Sequence, residues 1–309
     1  AVFLSFAYWK MLYNWFKNTP LRLAICGEII LLMSCGIMFC ITRPMFYELA
    51  EAAGFMFFII GIFALFSSGI MTSGKIKILY IMMSSIFVSL AVLSRPTFSL
   101  YAISILIWIC FGFKQYRKIN KSKRDAAKYF TAALAPYIFF GSIQMIYNYA
   151  RFDSPFDFGI QYSLTINDFT NTEFYPHMAF VSIWNMMFAF PVIKSVFPFF
   201  TSHIEKWGLN GYLFFETGNA FGLLWRALPI FSCFYSPKVL KRASKSGKIK
   251  MVALFGIPGV IIPLIIIACT WESGYALRYN VDFAFPIVLF ALAISFFAYS
   301  KIKNEGVKK

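Results

Sequence analysis

Charge is scarce in this sequence, and acid scarcer than base: Asp and Glu number 13 against 29 Lys and Arg, and charged residues make up 14% of the chain. That share is too low for an ordinary soluble domain, in which about a quarter of residues are charged. Histidine is rarer still. His177 and His203 stand far apart and form no His-x-x-x-His spacing, so no zinc motif is offered and each reads as a structural or surface residue. The six cysteines, Cys26, Cys35, Cys40, Cys110, Cys233 and Cys269, fall singly inside apolar runs. They form no Cys-x-x-Cys pair and no disulfide framework, and behave as small hydrophobes. There is no short repeat and no low-complexity linker. No segment mixes basic and aromatic residues as a nucleic-acid motif does, so a net charge of +16 does not point to nucleic acid. The chain starts at Ala1 without Met and shows no signal-peptide pattern. The expectation is a fragment whose N-terminal part is missing.

What the sequence does have is hydrophobicity, 60% of residues, gathered into runs near the ~20 residues that a bilayer crossing needs. The fold class expected is all-α: a polytopic membrane helical bundle of about nine spans with an interfacial outer cap. The spans are read as Ala1–Phe16 (truncated), Leu21–Thr42, Ala50–Ile70, Ile78–Leu93, Thr97–Phe113, Tyr129–Tyr149, Tyr212–Tyr235, Met251–Thr270 and Val281–Ser300. Residues 1–309 then form one transmembrane domain, with 150–211 as an extracytoplasmic region. Within it, Met178–Phe200 is apolar but interrupted by Pro191 and Pro198, which suits two short interfacial helices better than a span.

The charges orient this bundle. With the C-terminal tail in the cytoplasm, the inner loops hold 21 of the 29 basic residues, as the positive-inside rule expects. Most lie in Lys114–Lys128, Lys238–Lys250 and the tail. Ten of the 13 acids fall outside. Lys10 and Glu28 lie within the first two spans at similar depth, and an intramembrane pair would relieve both charges.

The outer side carries the candidate chemistry. Its centre is Asn148–Tyr162, where Asp153-Ser-Pro155 forces a turn and Gly159 permits unusual backbone angles. Rings and charges together suit a membrane–water boundary. Arg43, Arg95, Arg151 and Arg278 each sit at a span end on this side. Arginine holds phosphate through a planar fork of donors, so the set suggests an anionic headgroup; the alternative is snorkelling anchors. Tyr47, Tyr162 and Tyr279 can line a sugar. Glu48, Asp157 and Asp282 are the carboxylates nearest span ends and the weak candidates for a general base. An Asp282–Arg278 ion pair one turn apart is the plainer role for Asp282. Carboxylates also hold Mg²⁺ or Mn²⁺, but their spacing does not show a metal site, and the cofactor stays open. Gly218-Asn-Ala-Phe-Gly222 fits close helix packing.

Four segments occur in order near the outer face: Arg43-Pro-Met-Phe-Tyr-Glu48 with Gly54, Ser94-Arg-Pro-Thr97, Asn148–Gly159 with Tyr162, and Arg278-Tyr-Asn-Val-Asp282. Together the set resembles bacterial GT-C type integral membrane glycosyltransferases. The resemblance implies a polyprenyl-phosphate sugar as donor, a glycan or lipid acceptor, and action at the extracytoplasmic face of the bacterial inner membrane. In that family the catalytic acid usually sits in the first outer loop, which this sequence lacks. The other class of function open at this point is a transporter or flippase for a lipid-linked saccharide, which needs a polar path that Lys10, Glu28 and Arg226 alone supply thinly. A membrane scaffold without catalysis is a third.

Overall fold

The computed structural model describes residues 1–42, 45–72, 74–162, 176–197, 199–206, 216–217, 221–241, 252–270 and 274–306. The described chain is mostly helical. Helices α1 (Val2–Trp15), α2 (Leu21–Ser34), α3 (Ile37–Thr42), α4 (Phe46–Ser67), α5 (Ile78–Ser94), α6 (Phe98–Arg117) and α7 (Lys123–Phe152) come first. Short elements follow: α8 (Pro176–Ile183), α9 (Leu223–Arg226), α10 (Ser236–Lys241) and α11 (Ile262–Cys269). The last helix is α12 (Asn280–Gly306). Among the described residues four helical stretches are long and apolar enough to cross a membrane: α4, α6, α7 and Leu277–Ser300. Shorter apolar helices lie at Ile78–Ser94 and Leu254–Cys269.

The last of these stretches is the axis of the bundle. Its most apolar window is 72% buried, against 22% for that of α7, so α12 is central and α7 peripheral. Around α12 pack α2, α11, a 3₁₀ segment Leu228–Tyr235 and a π-helical segment Val252–Ile261. On the other side α4 packs on α1 and α5, and α5 on α7. Lipid offers apolar surfaces no hydrophobic gain for associating, so close approach of small residues matters instead. Gly61 supplies it between α4 and α5: a Cβ there would lie 2.7 Å from Val88 Cγ2. Ser84, Ser85 and Ser89 of α5 are buried.

Several boundaries differ from the sequence reading. The expected span 21–42 breaks at Gly36, whose φ is +76° and where a Cβ would lie 2.9 Å from Asn280 Cβ; only glycine allows both the left-handed backbone and that approach. Helix α4 begins at Phe46, not near Ala50, so Glu48 and Glu51 lie in its first turns. Helix α7 starts six residues before Tyr129, at Lys123, because Ser122 Oγ accepts from Arg124 N as an N-cap. Its far end stops at Asp153, in the left-handed conformation with φ 56°, at the expected Asp-Ser-Pro turn. The expected span 212–235 is not one helix: its described parts are β3 (Glu216–Thr217), α9 and the 3₁₀ segment. Pro229 and the close pass of Gly222 over Met187 O oppose a continuous helix. The chain instead runs parallel to α12, with Arg226 beside Asn280 and Ser232 bonded to Ala291 O.

The region expected to form the outer cap is not purely helical among its described residues either. Helix α8 and a π-turn Trp184–Phe188 form one helical piece. The second expected helix is instead an antiparallel hairpin of β1 (Pro191–Ile193) and β2 (Phe200–Ser202). Pro191 cannot continue a helix, and Val192 and Ile193 are β-branched. Strand β3 pairs in parallel with β4 (Tyr275–Ala276). Residues 163–175 and 207–215, and Gly218–Ala220 of the glycine motif, lie outside the described residues.

Packing at Gly61 is directly testable. Gly61→Leu overfills the α4–α5 contact and is expected to cost about 1–3 kcal/mol, lowering the thermal unfolding temperature in detergent. Gly141→Leu, on α7 where a Cβ meets nothing within 4 Å, is expected to leave that temperature unchanged.

Candidate functional site

Five charged side chains converge where the starts of α4, α6 and α12 meet. Glu48 and Glu51 stand three residues apart on α4 and so share a face. Arg95 caps the end of α5 in an extended conformation, φ −149°; the proline that follows disfavours helical angles there. Arg278 sits in a 3₁₀ turn, Leu277–Tyr279, that leads into α12, and Asp282 is in the first turn of α12. Gly54 makes room: a Cβ there would lie 3.0 Å from Phe98 and 3.5 Å from Arg95 Cβ.

Arg95 is the clamp of this corner. Its Nη1 donates to Glu51 Oε1 at 2.7 Å and its Nη2 to Asp282 Oδ2 at 2.5 Å. Glu51 is 0% exposed and Asp282 1%. Burial alone works against the Arg95 charge, but Asp282 and Glu51 outweigh it and hold the pKa above the ordinary arginine value. Tyr101, buried on α6, donates to the Asp282 carbonyl at 3.0 Å. The result ties α4, the α5–α6 turn, α6 and α12 into one unit.

Arg278 is held differently. Its contacts to Glu48 Oε1 and Glu51 Oε1 are both 3.4 Å, long for a charge-assisted hydrogen bond. Its guanidinium lies 5.2 Å from the ring centroids of both Tyr47 and Tyr279, within cation–π range. Tyr47 is 62% exposed, whereas Glu48 beside it is 3% exposed. The corner thus has an inner part, closed by short ion pairs, and an outer part, where a loosely held guanidinium stands beside an open tyrosine.

Of the residues expected from sequence, Arg95, Arg278, Glu48, Asp282, Tyr47 and Tyr279 come together. The plain Asp282–Arg278 pair does not form: the hydrogen-bond partner of the Asp282 side chain is Arg95. Arg151, Asp157 and Tyr162 make a separate station at the end of α7. There Arg151 donates to Tyr147 Oη at 2.9 Å and stacks near Phe152, 5.0 Å to the centroid. Asp157 Oδ1 accepts from Gly159 N and Oδ2 from Gln161, both at 2.7 Å, in a local turn. Tyr162 stacks on Phe152 at 5.4 Å. Arg43 lies outside the described residues. Glu51 was missed by the sequence reading; its one signal was the three-residue spacing from Glu48.

Other candidates separate. Lys10 and Glu28 do not pair: Glu28 Oε2 accepts from Trp9 Nε1 at 2.9 Å, and Lys10 Nζ lies 5.1 Å from the Tyr13 ring centroid. Among the described residues no three His, Cys, Asp or Glu side chains gather as a metal site, and the cysteines are free thiols. No family model, curated protein or solved structure matches this chain.

Removing one partner of a buried ion pair leaves the other charge uncompensated, at about 3–5 kcal/mol. Glu51→Ala is therefore expected to lower stability by that order in denaturant unfolding. Arg151→Ala, at an exposed site, is expected to stay within about 0.5 kcal/mol of the parent. Equal stability of the Glu51 variant and the parent would remove the clamp as a structural element.

Proposed function

We propose that this protein is an integral membrane glycosyltransferase of the GT-C type, moving a sugar from a polyprenyl-phosphate donor to a glycan or lipid acceptor. The observation that carries this reading is Arg278, a guanidinium that among the described residues makes contacts of 3.4–3.5 Å to Glu48, Glu51 and Tyr279 Oη and is flanked by two tyrosine rings. A polyprenyl phosphate keeps its chain in hydrocarbon and its phosphate at the boundary, where a planar fork of donors is the fitting receptor. Tyr47 offers an open ring face for sugar C–H groups, with its hydroxyl bonding outward. Arg95, with both terminal nitrogens already engaged, serves as a positioning residue that fixes Glu51 and so the place of Arg278. Glu48, Glu51 and Asp282 act as counter-charges to the two arginines.

In the same reading the chain crosses a bacterial inner membrane nine times, with 222–241 crossing as short helical pieces. The basic loops and the C-terminal tail face the cytoplasm. Residues 150–211 cap the extracytoplasmic side. The separation of charge supports this: Arg95 and Arg278 meet the carboxylates at one end of α4, while Gln115 of α6, next to Lys114 and Arg117, bonds the turn after its other end.

The test is transfer itself. The protein in proteoliposomes, given a labelled polyprenyl-phosphate sugar and acceptor lipid, is expected to move label to the acceptor. Donor that changes leaflet without transfer would instead mark a flippase and overturn the reading. Arg278→Ala is expected to weaken donor binding by about 1.5–3 kcal/mol, the range for hydrogen bonds to charged groups. Arg278→Lys is expected to recover only part, since it lacks the fork. Unchanged affinity in both variants would leave Arg278 as an anchor.

A further inference from the structure

Helix α7 is the least buried of the long helices, yet its inner half is not a plain lipid-facing surface. A groove of about 790 Å³ runs between it and α5. Ala132 and Pro136 are its buried lining residues on α7, Ala127, Thr131 and Ala135, each four residues from the next, line its open side, and Met82 and Ile86 line it on α5. Phe139 and Phe140 line the end farthest from the basic residues. At the opposite end stand Arg124 and Lys128, four residues apart and so on one helix face. Both are exposed. Among the described residues neither side chain has an ion-pair or hydrogen-bond partner. The one acid of this turn, Asp125, is not part of the groove lining.

The dimensions match one leaflet. From Lys128 to Phe139 is about 16 Å at ~1.5 Å per helical residue, close to half of the ~30 Å hydrocarbon core. Two unpaired cations therefore stand at headgroup level, and an apolar channel as deep as one leaflet runs beneath them.

We propose that this groove is a binding site for a phospholipid with an anionic headgroup, taken from the leaflet at the basic end of the bundle. One acyl chain lies along the small-residue face of α7, and the headgroup phosphate sits between Arg124 and Lys128. Basic pockets between membrane helices are suited to such headgroups. Neither positive charge has an ion-pair partner among the described residues, which favours an anionic lipid over a zwitterionic one and over a second copy of this basic surface. The inference requires only that α5 and α7 lie in a membrane; it does not depend on glycosyl transfer.

The experiment uses the intact chain in detergent, titrated with phosphatidylglycerol or phosphatidylcholine of the same acyl chains, with bound lipid counted by native mass spectrometry. Preferential retention of phosphatidylglycerol is expected. The double variant Arg124→Gln/Lys128→Gln is expected to weaken it about thirtyfold, about 2 kcal/mol at ~1 kcal/mol per basic residue near the surface. Thr131→Phe fills the groove from its open side but keeps both cations, and is expected to abolish retention. Equal retention of the two lipids would overturn the proposal. So would full phosphatidylglycerol binding by Thr131→Phe, which would reduce the effect to general surface attraction. A dimer mass that lipid does not displace would mean that a second copy fills the groove.

Discussion

Pairing of buried charge organises one end of this molecule. Three carboxylates and two guanidinium groups are brought to the end of an otherwise apolar bundle, where an isolated charge is costly. Arg95 resolves most of that cost by reaching two carboxylates at once, Glu51 and Asp282, that come from helices far apart in sequence. Once those bonds form, the starts of α4 and α12 and the α5–α6 turn have no freedom to slide. The acids also sit in first helical turns, Glu48 in α4 and Asp282 in α12, where the helix dipole favours negative charge.

Polar groups inside an apolar bundle are costly unless satisfied from within the protein; Ser84, Ser85, Ser104 and Tyr137 keep unpartnered oxygens, but many others are satisfied. Aromatic side chains do much of this. Tyr8 donates to Ala24 O, Tyr129 to Ile109 O and Trp108 to Leu254 O, all within 2.7–2.8 Å. Each such bond links two helices as well as satisfying a hydroxyl or indole. At the basic end Gln115 repeats the device, with its amide nitrogen donating to Gly69 O, Thr72 O and Gly74 O and its oxygen accepting from Met71 N. A ring cluster of Trp15, Phe66, Trp108 and Phe255 packs beneath it. The two ends thus differ in kind: ion pairs at one, amide and aromatic contacts at the other.

That difference separates roles among arginines that look alike in sequence. All were expected at one boundary as equal candidates for a headgroup. Arg95 is consumed by its carboxylates, Arg151 lies on rings at the rim of α7, and Arg278 is left with weak contacts beside an open tyrosine. A donor phosphate would compete with two short bonds at Arg95 but, among the described residues, with contacts of 3.4–3.5 Å at Arg278.

The sequence by itself made the helical class legible: apolar runs near bilayer length become, among the described residues, four helical stretches long and apolar enough to cross a membrane. Glycine, proline and Asp-Ser-Pro at 153–155 mark real breaks, because their backbone preferences act locally. It also singled out Glu48, Asp282, Arg95, Arg278, Tyr47 and Tyr279, since charge beside a span end is visible without coordinates. What it could not decide is who meets whom. Glu51 looked like one more acid near a boundary until α12 and the α5–α6 turn were brought against it. Lys10 and Glu28 looked like a pair because depth is legible but helix rotation is not. The segment 212–235 read as a span because hydropathy does not register Gly222 pressed on Met187 or Arg226 bonded to Asn280. Ion-pair partners, close glycine contacts and broken crossings all depend on residues tens or hundreds of positions away, and only the packed tertiary structure brings those together.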